Sequence, residues 1–370
     1  MVWRTSPPAR REGRRQGRGH PGRGCNSIRA PGCRRRNDVS SIQRLDHPLC
    51  FVPHMRDAVW GGHRLAERLP WVPAGSRLAE AWLVSGHPAA ETPVAHGPLA
   101  GWRLSRLIRE FGTDLVGTRH ADTVTQGRFP ILLKLLDVDE WLSVQVHPAQ
   151  GDGRHETFGK TEMWIVLAAE PDAELILGLK PDTTLEDIQL AGPSRNLTHW
   201  LRRHQVCAGD TFFVPAGQVH ALGPGITVLE VQETSDTTWR MYDWDRPPLP
   251  EQPRPLHWRE SLACLDTAAA VSNPVIPRPA TWQGLAASRL ITCPQFAADL
   301  ATIAIGETVV AEGDPATCQF VVVLEGSLEI ATAGGSAKLG PLDCCLLPAV
   351  LESFTITGLA HSRAAWVHMP

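Results

Sequence analysis

Leu142-Ser-Val-Gln-Val-His-Pro (142–148) alternates apolar and polar residues. Side chains along a strand repeat every two residues. The stretch therefore predicts a strand with Ser143, Gln145 and His147 on one face and Leu142, Val144 and Val146 on the other. Two more groups of related chemistry follow: Glu162 in Gly-Lys-Thr-Glu-Met-Trp (159–164), and His220 in Val-Pro-Ala-Gly-Gln-Val-His-Ala (214–221). Each stretch reads as a strand, or as the edge where a strand enters a turn. Such ligands from adjacent barrel strands could hold one divalent zinc ion per chain and leave a coordination position open for chemistry. The alternative is four hydrogen-bonded polar groups in an ordinary core. The alternation and the ordered motifs favour ligation.

Outward from these motifs the chain has the texture of a β protein. Short apolar runs at Ile131–Leu136, Met163–Leu167, Ala173–Leu177, Thr211–Val214, Thr227–Gln232 and Trp239–Tyr242 are separated by Gly, Pro, Asn and Asp, the punctuation of sandwiches and barrels. Lys180-Pro-Asp-Thr-Thr-Leu-Glu-Asp-Ile predicts a helix with a Thr cap and acidic residues in its first turn. Asn196-Leu-Thr-His-Trp-Leu-Arg-Arg predicts a second short helix closing on basic residues. These form a small helical insertion at about 181–204. Leu104, Leu107, Ile108 and Phe111 fit another helical stripe. Pro247 to Pro255 reads as a linker. Beyond it, Phe320–Ile330 and Leu339–Pro348 predict paired strands of a second barrel that has no His/Glu/Gln cluster and is structural.

The 370 residues are 43% hydrophobic and 20% charged, ordinary for a soluble protein, and no apolar run is long enough to span a bilayer. Nine cysteines without metal-type spacing point to reduced thiols and a cytoplasmic location. Adjacent Cys344 and Cys345 should point to opposite faces of a strand. Residues 1–44 hold twelve arginines against Glu12 and Asp38, whereas the rest of the chain carries 24 basic and 37 acidic residues. An Arg/Gly/Pro-rich segment this poor in apolar residues predicts disorder over residues 1–50. A start assigned too early, with the true start near Met55, would explain it. Nothing in it forms a nucleic-acid-binding module.

The motifs, taken together in order, resemble the type I mannose-6-phosphate isomerases in their short bacterial form, members of the cupin superfamily. The matching stretches are Val59-Trp-Gly-Gly-His-Arg-Leu, Gly97-Pro-Leu-Ala-Gly-Trp, Phe129-Pro-Ile-Leu-Leu-Lys-Leu-Leu-Asp, the three ligand motifs, and Glu230-Val-Gln-Glu-Thr-Ser-Asp-Thr-Thr-Trp-Arg-Met-Tyr-Asp-Trp-Asp-Arg. In the C-terminal half only Val323-Leu-Glu-Gly-Ser-Leu looks similar. Ala79-Glu-Ala-Trp departs from the pattern by lacking a glycine before the glutamate, and the short loop Gly151–Phe158 carries an extra His155. The resemblance implies a mainly β protein. A cupin (jelly-roll) catalytic barrel would span residues 51–246, a linker 247–257, and a second, degenerate jelly-roll-like barrel without metal 258–370. It also implies zinc on Gln145, His147, Glu162 and His220, a substrate arginine at Arg240, and a sugar phosphate as the small-molecule partner of a monomer or homodimer.

Converting an aldose to its 2-ketose moves a proton from C2 to C1 through a cis-enediol(ate). Such a site needs a stabiliser of anionic oxygen, a proton carrier and a grip on the phosphate. An uncharged Gln ligand keeps the metal more electropositive than a second carboxylate would. The chain has 32 arginines but four lysines, so retained Lys134 and Lys160 suggest places where a compact, titratable ammonium is wanted. Arg240 offers a two-pronged contact to an oxyanion; most single arginines are surface charges, but the surrounding motif favours function. Glu230, Asp236 and Lys160 are acid/base candidates, with Asp236 equally explained as a turn cap and a zinc-bound water as a further base. Ser143, in line with the ligands, could donate to the phosphate. Two other readings compete with mannose 6-phosphate/fructose 6-phosphate isomerisation. One is a cupin metalloenzyme of another class, such as an iron oxygenase, which would more often use three histidines or two with a carboxylate. The other is a sugar-phosphate-binding cupin without catalysis.

Overall fold

Ile131-Leu-Leu-Lys-Leu-Leu-Asp-Val forms a strand in which every residue is buried, as a strand covered on both faces must be. It lies in a six-stranded sheet ordered His54–Arg56, Glu80–Val84, Ile131–Val138, Ile226–Glu233, Glu162–Ala169, Thr211–Val214. The computed structural model describes residues 44–151, 158–248, 250, 253–269 and 273–370, which belong to one unit. His155 and most of the Arg-rich segment lie outside the described residues.

Inside the first sandwich, Leu136, Val166 and Val228 of the six-stranded sheet meet Leu175, Leu177 and Leu222 of a second sheet. That sheet has five strands, ordered Trp239–Tyr242, Val144–Val146, His220–Leu222, Glu174–Leu179, Leu201–Gln205. Its outer face carries Val144, Val146, Ile176, Ala221 and Met241, covered by Ile188 and Leu197 from the helical insertion. The two valines thus turn away from Gln145, as the alternation requires. Leu142 does not join them. The strand starts only at Val144, which leaves Leu142 free to pack on the inner side.

The insertion starts as its sequence dictates. In the helix Leu185–Ala191, the Thr184 hydroxyl accepts the Asp187 N–H, and the Asp187 carboxylate accepts the Thr184 N–H. The second helix is shorter than expected. A 3-10 turn over Arg195–Trp200 gives way to the strand Leu201–Gln205. Arg203, expected to close a helix, instead pairs with Glu174 across the strands at 2.7 Å. The helix Leu104–Phe111 buries Leu104, Leu107 and Ile108. Short helices at Thr113–Val116 and Ala121–Gln126 then follow, which the sequence did not announce. Gly117 (φ 100°) sits where a side chain would strike the backbone of Ala316. There the helical segment is tied to the C-terminal lobe through Cys318 N–H to Val116 O at 3.1 Å and Ala349 N–H to Leu115 O at 3.1 Å.

The C-terminal lobe is a second sandwich of a seven-stranded and a four-stranded sheet. The expected strand over Phe320–Ile330 is two strands, Gln319–Glu325 and Leu328–Thr332, in different sheets, because Gly326 (φ 79°) turns the chain between them. Gln319–Glu325 pairs with Cys344–Leu347 as expected. Val321, Val323, Cys345 and Trp366 point into this sandwich, whereas Phe320, Val322, Cys344 and Leu346 point outward. That outward face packs on Leu133, Leu135, Ile165 and Leu229 of the first lobe within one continuous cluster. Cys344 and Cys345 therefore do face opposite ways. Both are free and buried, and burial raises both thiols well above their ordinary range.

Three expectations need correction. Residues 44–50 are not part of a disordered extension: Leu45 and Leu49 are core residues, and Leu49 pairs with Leu346. A chain beginning at Met55 would lack both. Residues 253–257 are not a bare tether, since His257 donates its N–H to Arg240 O at 2.8 Å. The jelly rolls are facing sheets, none of which closes on itself among the described residues. The architecture is otherwise the mainly β, two-sandwich cupin fold that the sequence resembles.

Candidate functional site

Strand register assembles the site. In the five-stranded sheet Gln145 is opposite His220 on one side and Arg240 on the other. Directly opposed residues share a face, so Arg240, Gln145 and His220 form a row. In the facing six-stranded sheet Lys134 lies between Trp82 and Glu230, and Glu162 lies opposite Gln232. His147 follows the end of its strand, where its carbonyl accepts the Gly217 N–H at 2.8 Å. Two inner faces thus bring together residues separated by up to 158 positions in sequence, from Trp82 to Arg240.

His147, Glu162 and His220 offer ligand atoms within 4.8 Å of one another and could hold a metal ion. The two Nε2 atoms are 3.2 Å apart. Glu162 Oε2 is 3.6 Å from His147 Nε2, and Oε1 is 3.4 Å from His220 Nε2. Gln145 joins them, its amide 3.2 Å from His220 Nε2. The other ring nitrogens define the tautomers. His147 Nδ1 lies 2.8 Å from Thr237 O, and His220 Nδ1 lies 2.9 Å from Gln218 O. A carbonyl can only accept, so each Nδ1 carries a proton and each Nε2 presents a lone pair inward. Burial, reinforced by the Lys160 charge, keeps His147 neutral. Burial also lowers His220 to about 4. Glu162 Oε2 is buried with no hydrogen-bond partner. Two ring nitrogens and a carboxylate that converge, with the Lys160 ammonium set against His147 Nε2 and Glu162 Oε2, are the complement of a positive charge, so the donor set fits a divalent metal.

Beside this cluster a cavity is lined by Ser143, Gln145, Lys134, Lys160, Glu230, Asp236 and Arg240. Lys160 links the two, with Nζ 3.2 Å from His147 Nε2 and 3.5 Å from Glu162 Oε2. Lys134 Nζ is 3.6 Å from Glu80 and 3.5 Å from Glu230 and 4.7 Å from the Trp82 ring centre. Burial opposes its charge, but Glu80, Glu230, Asp236 and Glu162 together outweigh burial and raise it, so it stays an ammonium. Glu230 is pushed up by burial and then by Glu162. Asp236 pairs with Arg56 at 3.0 Å; burial would raise it, but Lys134, Arg56 and Lys160 together hold it below the ordinary range. Arg240 Nε is buried without an acceptor. Ser143 Oγ donates to Gln145 Oε1 at 3.4 Å.

Residues 50–173 match the family model for the catalytic domain of phosphomannose isomerase type I. The mannose-6-phosphate isomerase of Streptococcus mutans is 32% identical over 318 residues, covering 85% of this chain and 96% of that protein. This chain belongs to the type I mannose-6-phosphate isomerase family. ManA of Bacillus subtilis, named mannose-6-phosphate isomerase, is 34% identical over 316 residues, covering 96% of its length. The crystal structure of the Bacillus subtilis mannose 6-phosphate isomerase superposes with a TM-score of 0.76 at 29% identity, over 87% of this chain and 99% of that one. Phosphomannose isomerase from Salmonella typhimurium shares the fold (TM-score 0.67, 15% identity). The mannose-6-phosphate isomerase family consists of aldose–ketose isomerases, and this chain is an enzyme of that class.

Every residue singled out from the sequence lies in the cluster or on the cavity wall. Sequence reasoning missed Glu80, Arg56 and Arg254. Glu80 carried a signal, as the one carboxylate in the apolar strand Glu80–Val84. Arg56 and Arg254 carried none, being single arginines, one at the start of the expected catalytic barrel and one in the expected linker.

Proposed function

We propose that this chain interconverts mannose 6-phosphate and fructose 6-phosphate through a cis-enediol(ate), with one zinc ion held by Gln145, His147, Glu162 and His220. The observation that carries this reading is the pair of inward Nε2 atoms at 3.2 Å, flanked by a buried carboxylate oxygen that accepts no hydrogen bond and meets only the Lys160 ammonium, and opening beside a lysine- and arginine-lined cavity. Half a turn of the Gln145 amide exchanges its oxygen for its nitrogen, so it can join the set as a neutral oxygen donor. A divalent ion bound there supplies Lewis acidity that stabilises negative charge on the sugar oxygens.

The remaining steps belong to the chain's own side chains. Glu230 best suits proton abstraction at C2 and return at C1. It lines the cavity, its Oε1 has no hydrogen-bond partner, and its raised pKa makes it a stronger base than an ordinary carboxylate. Lys134 keeps Glu230 oriented and offsets its charge. Lys160, which lines the cavity and whose contact with His147 Nε2 would give way to the metal, moves a proton at the sugar hydroxyls. Asp236 is a poorer base, because Arg56 and the two lysines stabilise its charge, and it acts as an orienting group. Arg240, with an uncommitted Nε, binds the phosphate, and the Ser143 hydroxyl donates to it. The enzyme works in the cytoplasm as a monomer or homodimer; among the described residues no helix is long and apolar enough to cross a membrane.

The test is turnover and metal content on one preparation. Zinc-loaded protein converts either sugar phosphate to the other and exchanges deuterium at C2 in heavy water. Binding without exchange would make it a sensor rather than an isomerase, and oxygen uptake with bound iron would make it an oxygenase.

A further inference from the structure

After the proline-rich stretch the chain doubles back onto the strand that carries Arg240. Two bonds hold it there: His257 N–H to Arg240 O at 2.8 Å, and Arg240 N–H to His257 Nδ1 at 3.3 Å. The His257 ring also packs edge-on against Trp239 with centroids 5.2 Å apart. This return places Arg254 on the wall of the cavity that holds Arg240, Ser143 and Gln145.

We infer that Arg254, held in place by Asp243, is a second binding residue for the substrate phosphate, gripping it together with Arg240. The inference rests on the sugar-phosphate reading and adds a specificity residue to it. Arg254 donates from Nε to Asp243 Oδ2 at 2.7 Å and from Nη2 to Asp243 Oδ1 at 3.0 Å. That fork fixes the guanidinium plane while leaving Nη1 without an acceptor among the described residues. A preset donor loses little freedom when a ligand arrives. Asp243 does not neutralise Arg254 fully, because it also accepts from Arg246 Nη1 at 2.9 Å.

The charges point the same way. Arg240 has a buried Nε with no partner, and it is held below its ordinary range by burial and then by the charge of Arg254. Two guanidiniums close enough to disfavour one another line one cavity, and Asp243 and Asp236 offset that repulsion only in part. A phosphate dianion removes the repulsion and accepts from both forks. An uncharged sugar would gain nothing from the pair, so this contact separates phosphorylated from unphosphorylated hexose.

The experiment uses the zinc-loaded full chain with mannose 6-phosphate as substrate and inorganic phosphate as competitive inhibitor. Arg254→Gln is expected to raise the KM roughly 10- to 100-fold, the range of a lost charge-assisted contact. The inhibition constant of inorganic phosphate should rise in parallel, with kcat within about threefold and zinc content unchanged. Arg254→Lys, which keeps the charge but not the fork, falls between. A variant whose phosphate inhibition equals that of wild type overturns the inference, whatever happens to its melting temperature, because a merely structural brace for Asp243 would lower stability without selecting against phosphate. If wild type turns over neither sugar phosphate, the isomerase reading fails separately. Calorimetric titration of both proteins with inorganic phosphate then still decides the clamp, by weaker binding to Arg254→Gln or by equal binding.

Discussion

On the inner face of the first sandwich, three strand partners read Arg240, Gln145, His220. On the inner face of the second, Trp282, Phe354 and Trp366 stack, with the two tryptophan ring centres 3.6 Å apart. The architecture is the same and the filling opposite. In the second lobe buried polar groups are paired off: Gln319 Oε1 accepts the Trp366 N–H at 2.7 Å, and Asp299 is bound by Arg289. In the first lobe Glu162 Oε2, Glu230 Oε1 and Arg240 Nε are buried without a hydrogen bond, the two carboxylate oxygens meeting only a lysine ammonium at 3.5 Å. An unsatisfied buried polar atom is destabilising by roughly 1–3 kcal/mol. The first lobe carries that burden at the place where a metal and a sugar phosphate would relieve it. One fold thus holds buried charged groups in one copy and a packed aromatic interior in the other.

The sharpest way to break this contrast is to remove a ligand. His147→Ala or His220→Ala should lose bound metal and isomerase activity together, by at least about a thousandfold, as read from metal analysis and turnover. Retained metal in both variants would mean the cluster is an ordinary polar core. Arg240→Ala should keep the metal and lower kcat/KM by on the order of a hundredfold, separating the cationic cavity from the metal cluster. The C-terminal lobe should behave in the opposite way. Trp366→Ala removes a fully buried ring and should cost about 3–5 kcal/mol in denaturant unfolding, with metal content and KM unchanged.

A smaller effect comes from pH. The His220 pKa is about 4 in the folded chain against an ordinary 6.5. As pH falls, the unfolded chain takes up the proton first. Stability of chelator-treated protein should therefore be full above about pH 6.5 and fall towards pH 4, by on the order of 3 kcal/mol from this group. His220→Gln should flatten that decline in a pH series of denaturation curves. Least of all, Thr184→Ala removes the capping hydroxyl on the insertion behind the five-stranded sheet. It should cost about 1 kcal/mol and leave turnover alone.

The legibility of this molecule in its sequence follows one physical rule. Features encoded by local period were readable: the Gln145/His147 alternation, the Thr184 cap, and the opposed side chains of Cys344 and Cys345. Features created by long-range packing were not. Leu49 is a core residue only because Leu346 lies beside it, and Leu142 turns inward because its strand begins two residues later. The helices after Gly112 make sense only against the C-terminal lobe they are bonded to. Arg56 and Arg254 reach the site across 180 and 11 residues, through Asp236 and Asp243, and no local pattern marks an arginine whose partner is supplied by the fold. The ligand motifs could be read because each lies in or beside a strand with its own local pattern, and register does the rest.

The central claim is that Gln145, His147, Glu162 and His220 close around one metal ion beside the sugar-phosphate cavity. Anomalous scattering at the zinc edge, from a crystal soaked with fructose 6-phosphate, tests it most directly. The account predicts a single peak per chain within bonding distance of all four side chains, with the phosphate on Arg240. A peak elsewhere, or two of the four side chains turned away from it, would contradict the account.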